Sequence, residues 1–240
     1  MYENNFSAIM SVRYIRNNIK IIPKSGGVYK HYVDEQGLKY LDGVNPTQKE
    51  ILDDGTIVYL LYIGLSDNLL NRFKWHLGIT NSSHSNIING TLSTLRLSYM
   101  ANHINISSLS QQDELNKFMD KHIYIQFMET ENFEAVEKDL ISLNDVPLNI
   151  KSNIHPFTTI NTNRRTKIKN EYYKRYPEYK KDTKKNLSSS SKIADTELRK
   201  YVEEAKKDGI KNKSKFLRWF RDVKKLSASQ SRLYKAWEIN

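Results

Sequence analysis

Ile57-Val58-Tyr59-Leu60-Leu61-Tyr62-Ile63 is the run whose reading decides the fold. It is apolar, rich in β-branched and aromatic residues, and too short for an ordinary helix, so it reads as a central strand. Gly64 follows it, and Ser66-Asp67-Asn68 can cap a helix beginning near Leu69. Leu69, Leu70, Phe73 and Leu77 recur at helical spacing, and Gly78 is placed to end that helix. Upstream, Gly26-Gly27-Val28-Tyr29-Lys30-His31-Tyr32-Val33 reads as a second strand entered through a glycine turn. The polar segment 34–55 between the two strands reads as a loop or hairpin excursion. Residues 123–128 (IYIQFM) form a third strand, and helical patterns fall at 5–18, 91–102, 111–119 and 132–143. Residues 81–90 read as a polar loop, 147–157 as extended chain and 164–176 as a basic, tyrosine-rich helix.

A chain of 240 residues holds one full domain and a small second one. Lys180–Lys192 (KKDTKKNLSSSSK) has no apolar residue and reads as a linker. The expected organisation is a catalytic-sized domain over 1–179, a linker over 180–192 and a helical domain over 193–240. There are 38 Lys and Arg against 27 Asp and Glu, a formal net charge of +11, which suits a polyanionic partner. With no cysteine, neither a disulfide framework nor a Cys-based zinc site is possible. No leader pattern and no run of 18 apolar residues is present, so a cytoplasmic protein with no membrane partner is expected.

Four fragments carry chemistry only when taken together: Gly27-Val28-Tyr29, Tyr62-Ile63-Gly64, Arg72 with His76, and Glu137 with Asn149. Alone each is ordinary, since Gly-Val-Tyr is common strand sequence and Arg72 and His76 are four apart on one helix face. Their order and spacing resemble the GIY-YIG nuclease family. Tyr62 precedes Arg72 by ten residues and Glu137 precedes Asn149 by twelve, with Pro147 between, as in that family. Val28 stands where the family usually has Ile. A larger departure is the 32 residues between Tyr29 and Tyr62, where about a dozen are usual. A hairpin tip can carry such an insertion, because loop closure costs grow slowly with length. The resemblance implies an α+β domain, a small three-stranded antiparallel sheet flanked by helices.

It also implies a catalytic set of Tyr29, Tyr62, Arg72, His76, Glu137 and Asn149. Phosphodiester hydrolysis needs an activated water, charge neutralisation at phosphorus and help for the leaving oxygen. Glu137 would hold one hard cation, Mg²⁺ or Mn²⁺, that keeps waters in its other positions. Arg72 offers a planar fork for phosphate. Tyr29 has a reference pKa near 10 and becomes a base only beside positive charge. Tyr62 would orient the water or phosphate, His76 would accept a proton or contact phosphate, and Asn149 would orient the Glu137 side.

Arg164, Arg165, Lys167, Lys169, Lys174 and Arg175 crowd one segment, interleaved with Tyr172, Tyr173, Tyr176 and Tyr179. Such cations pair with phosphates and release counterions, and the tyrosines would add hydroxyl contacts. The last 48 residues show three helical patterns, at 196–208, 212–223 and 227–237. They read as a small all-α trihelical domain resembling a helix-turn-helix, with Lys224-Lys225-Leu226 as the turn and Ser227 as a cap. Its third helix would present Ser229, Gln230, Arg232 and Lys235 to DNA. The reading is a metal-dependent, site-selective endonuclease on double-stranded DNA, used in restriction or phage defence, with a homodimer cutting both strands. A homing endonuclease is the alternative within the class, and a catalytically inactive DNA-binding regulator the alternative outside it.

Overall fold

The structure is a computed structural model of the chain. It describes residues 5–79, 93–150, 153, 155–177, 195–222 and 230–239, and it leaves aside the side chains of 195, 196, 218, 221, 222, 230–232, 235 and 239. The chain divides into two compact units, Met1–Lys181 and Asp182–Asn240. The loop expected at 81–90, the linker at 180–192, Tyr179 and the turn at 224–226 with Ser227 lie outside the described residues.

The first unit is α+β. In chain order it contains β1 (Met10–Ser11), α1 (Val12–Asn17), β2 (Gly27–Asp34), α2 (Glu35–Leu38), β3 (Lys49–Ile51) and β4 (Ile57–Ser66). There follow α3 (Leu69–His76), α4 (Thr94–Asn102), α5 (Gln112–His122), β5 (Ile123–Glu129), α6 (Phe133–Leu143) and α7 (Phe157–Arg175). The sheet has five antiparallel strands in the order β1-β5-β2-β4-β3, not the three expected. The three expected strands are its centre. Two short edge strands, of two and three residues, complete it.

The helix expected over 5–18 is also corrected. Met10 and Ser11 pair with β5, and the helix begins only at Val12, where the Ser11 hydroxyl accepts the Tyr14 N–H at 3.2 Å. The cap residue that ends the strand starts the helix. The segment 34–55 is not loop alone, because it supplies α2 and the edge strand β3. The insertion between the triplets thus extends the sheet and leaves the pairing of β2 with β4 intact.

That pairing positions the site. Successive strand residues point to opposite faces. Tyr29 and Val33 face one core with Leu61, Ile125 and helices α1, α3, α4 and α5. Val28 and Tyr32 face another, with Leu60, Ile63 and the α6 residues Val136, Leu140 and Ile141. The register shifts between His31 and Tyr32, where His31 opposes Tyr62 and Tyr32 opposes Leu60. Leu61 is the extra residue of this β-bulge. Without it Tyr62 would point with Leu60 to the α6 side. With it Tyr62 shares the face of Tyr29 and His31, and Ile63 takes the other.

The second unit contains three helices among the described residues: α8 (Asp195–Lys207), α9 (Lys213–Asp222) and α10 (Gln230–Ile239). They bury Leu198, Val202, Phe216, Trp219, Phe220 and Leu233 in a core of their own. The Trp219 indole N–H donates to Asp208 at 3.1 Å, which fixes the corner between α8 and α9. No helix among the described residues is long and apolar enough to cross a membrane.

Candidate active site

The site grows from the β2–β4 pair. Gly64 lies directly opposite Tyr29, and an added Cβ at Gly64 would stand 2.6 Å from the Tyr29 hydroxyl and 2.7 Å from the Tyr62 ring. The glycine that closes the second triplet therefore makes room for the tyrosine that ends the first. Gly27 plays a similar part, since a Cβ there would collide with the Met128 carbonyl of β5. The Tyr29 and Tyr62 ring centroids are 6.2 Å apart.

Helix α3 brings the next two groups. Asn68 caps it by accepting the Asn71 N–H at 2.9 Å, and Gly78 leaves it with φ of 64°. His76, 2 % exposed, sits with Nε2 at 2.7 Å from the Tyr29 hydroxyl. Its Nδ1 is 2.6 Å from Ser93 Oγ, at the head of α4. Arg96, also buried, donates from Nη1 to the His76 carbonyl at 3.0 Å. The tyrosine–histidine pair is thus clamped from behind by the first turn of α4. Arg72, half-buried, lies over the Trp75 ring at 5.2 Å, one helical turn before His76.

Glu137 flanks the apolar stripe of α6 and is half-buried. Its charge reaches both triplet tyrosines and pushes their hydroxyl pKa values up, while Arg72 pushes both down. Burial is the larger effect, and it holds Tyr29 well above the usual phenol range. Tyr29 is in ring contact with Tyr62 and His76, and the charges of Arg72 and Glu137 act on both tyrosines. Asn149 is 4 % exposed. Its Oδ1 accepts the Ile63 N–H at 2.9 Å and its Nδ2 donates to the Ile63 carbonyl at 2.7 Å. Asn149 thereby acts as a substitute strand partner for the middle residue of the second triplet. An unpaired buried backbone group costs about 1–3 kcal/mol, so this amide holds the register that aims Tyr62.

The model of the GIY-YIG catalytic domain matches residues 27–171, well over half of the chain. The chain belongs to the GIY-YIG family. No curated protein and no solved structure matches. Membership implies a nuclease with DNA as the substrate class.

Among the described residues, Glu137 is the carboxylate whose charge acts on both triplet tyrosines, and no group of three or more His, Asp or Glu could hold a metal. That donor set does not suit zinc, which takes three or four protein ligands. It does suit a hydrated hard cation held by a single carboxylate and completed by water and phosphate oxygens.

The basic segment sorts into three groups. Arg164 is engaged by the protein, with Nη2 at 2.6 Å from the Asp42 carboxylate and Nη1 donating to the Asp42 carbonyl at 2.6 Å. Arg165 is partly buried, and its Nε, itself buried, has no hydrogen-bond partner among the described residues. Lys167, Lys169, Lys174 and Arg175 are exposed on α7, and Arg175 also lies over the Tyr176 ring. The tyrosines among them serve the core: Tyr172 is buried, and Tyr173 and Tyr176 pack against it. His155 is tied to Asp145 at 3.0 Å. Ser229, and the side chains of Gln230, Arg232 and Lys235, lie outside the described residues.

His31 was not among the expected site residues. It is fully buried on the Tyr29 face, edge-on to the rings of Tyr29, Tyr62 and His76, with the Tyr99 hydroxyl at 3.4 Å from Nδ1. Two-residue strand periodicity from Tyr29 would have found it. Ser93 and Arg96 carry no sequence signal, because only the fold brings them to His76.

Burial pushes the His31 pKa down to about 3, and burial then the charges of His31, Arg72 and Arg96 push His76 well below its usual value. Both rings are held neutral. The unfolded chain binds protons at these positions once the pH falls below about 6.5. Stability is therefore complete above that pH and is lost as the pH drops toward the folded values. For His31 alone, moving from pH 7.5 to pH 5 should cost about 2 kcal/mol. Urea unfolding at both pH values, compared with His31→Asn, measures it. An equal loss in the variant would remove His31 as the cause.

Proposed function

We propose that this protein is a Mg²⁺- or Mn²⁺-dependent endonuclease that hydrolyses double-stranded DNA at selected sites, in restriction or phage defence. The observation that carries the reading is the bond between Tyr29 and His76 beside Tyr62, Arg72 and Glu137. A buried phenol is a poor base alone. Paired with a neutral imidazole it becomes a relay. In the tautomer whose Nδ1–H donates to Ser93, His76 Nε2 accepts the Tyr29 proton. The Tyr29 oxygen can then take a proton from an attacking water. The water oxygen bonds to phosphorus, the bond to the leaving oxygen breaks, solvent protonates that oxygen, and the His76 imidazolium then gives up its proton to solvent.

Imidazolium at His76 is unfavourable, because burial and nearby cations hold the ring neutral. An incoming phosphate anion offsets those cations and makes the relay accessible. Arg72 would neutralise phosphate charge through its planar fork. Tyr62 would orient the water or a phosphate oxygen through its hydroxyl. A cation held at Glu137 would polarise the phosphate and acidify bound water.

The exposed Lys167, Lys169, Lys174 and Arg175 would track the DNA backbone. The second unit, three helices with its own core, would read the site as a helix-turn-helix does, with Ser229, Gln230, Arg232 and Lys235 as reading residues. One active site per chain implies a homodimer on DNA, or sequential nicking, for a double-strand break.

A mobility-shift and cleavage pair tests the reading. Wild-type protein with Mg²⁺ should convert supercoiled plasmid to discrete nicked or linear products. Glu137→Ala should retain DNA in the gel but cut at least about a hundredfold more slowly. Retention without cutting by the wild type would turn the reading into a DNA-binding regulator.

A further inference from the structure

We infer that Arg165, on α7, is a second phosphate-binding arginine of the active site, opposite Arg72, and not part of the general DNA-tracking face of that helix. The inference rests on the nuclease reading above.

Three hydrogen bonds place the helix. Leu148 N–H donates to the Leu61 carbonyl at 3.0 Å, which joins the chain before Asn149 to the β-bulge. Asn161 Nδ2 donates to the Leu148 carbonyl at 3.3 Å, which joins α7 to the same segment. Asn161 is fully buried, and its Oδ1 also accepts from Asn102 at 2.9 Å. The inner face of α7 is thus set across from Leu61 and Tyr62. Asn161, Arg165, Ile168 and Tyr172 are spaced four, three and four apart and form the inward stripe of the helix. Arg165 is the charged member of that stripe and lies one turn beyond the anchor.

Its neighbours treat it as a member of the site. Burial raises the Tyr62 hydroxyl's pKa and the Arg165 charge offsets a small part of that rise, while burial lowers the pKa of Arg165 itself. Its Nε is buried and has no hydrogen-bond partner among the described residues, a cost that a bound acceptor would relieve. Adjacent Arg164 differs, because Asp42 takes its guanidinium by an ion pair and a carbonyl bond. A planar guanidinium half-buried beside the catalytic tyrosine, with an unused donor, suits a phosphate oxygen. Arg72 approaches from α3 and Arg165 from α7, so the two would grip the phosphate at Tyr62 from two elements.

Single-turnover plasmid cleavage with Mg²⁺ at saturating protein tests this, read together with DNA affinity by mobility shift. Arg165→Ala should cleave about 10- to 100-fold more slowly while affinity changes less than threefold. Arg165→Lys, which keeps the charge and the stem but loses the fork, should recover only part of the rate. Lys39→Ala, an exposed cation just after α2 with no part in the site or the basic face, should change neither rate nor affinity. Melting temperatures confirm that each variant is folded. If Arg165→Ala unfolds, Arg165→Lys and Arg165→Gln carry the comparison. Wild-type rate in the Arg165 variants, or a loss confined to affinity, overturns the assignment while the nuclease reading stands. A wild-type protein that cuts nothing overturns both.

Discussion

Tyr29→Phe should lower Mg²⁺-dependent plasmid cleavage by about 10²- to 10⁴-fold, the range that general acid–base groups contribute. The ring is 1 % exposed and packs against Phe73, His31 and His76, and all of that area survives in phenylalanine. What is lost is the hydroxyl at 2.7 Å from His76 Nε2. Stability should fall by about 1 kcal/mol, the ordinary worth of one buried hydrogen bond. Because Tyr29 and His76 act as one relay, the double variant Tyr29→Phe with His76→Ala should be little slower than the worse single one. Single-turnover cleavage and urea unfolding measure both. A Tyr29→Phe enzyme within a fewfold of wild type would remove Tyr29 from the chemistry.

Gly64→Ala should damage stability and activity together. The new methyl would stand 2.6 Å from the Tyr29 hydroxyl and 2.7 Å from the Tyr62 ring, so both tyrosines must move. Overpacking of this kind costs about 1–3 kcal/mol. A displacement of about 1 Å in a catalytic group can cost on the order of a hundredfold in rate. Gly55→Ala is the matched control. Gly55 has φ of 82° and open space around its missing Cβ, so alanine there costs backbone strain of about 1 kcal/mol but touches no site residue. Denaturant melts should show both variants weakened, and cleavage should show only Gly64→Ala slowed. Equal rates for the two would mean that the tyrosines do not depend on this close approach.

Much of the catalytic unit is legible in the chain. The three inner strands announce themselves through β-branched and aromatic residues, and α3 through Asn68 and Gly78. The edge strands do not. Lys49-Glu50-Ile51 is exposed throughout, and Met10-Ser11 is too short to show a period. Both are strands because a neighbour offers open backbone groups, a tertiary cause that no local pattern carries.

The site divides in the same way. Of the residues that the spacings single out, His76 meets Tyr29 directly and Asn149 holds the backbone of Ile63, while Arg72 and Glu137 act on the tyrosines through their charges. The long insertion after Tyr29 leaves its register with Tyr62 unreadable from the sequence, and β2–β4 pairing sets it. The bulge at Leu61 was invisible, because a one-residue slip leaves composition unchanged while it reverses every side chain beyond it. The partner of Asn149 was invisible too, since a buried amide bonds wherever backbone groups lack partners. Arg165 looked like one basic residue among many, and only helix phase separates it from Arg164.

The central claim is that one site, built on the Tyr29–His76 relay and Glu137, hydrolyses DNA. Its most direct test is single-turnover cleavage of a supercoiled plasmid across a Mg²⁺ titration, with wild type, Tyr29→Phe and Glu137→Ala side by side. The account predicts saturable, EDTA-sensitive cleavage by the wild type and rates lower by at least about a hundredfold in both variants at every Mg²⁺ concentration. Metal-independent cleavage, or variants that cut as fast as the wild type, would contradict it.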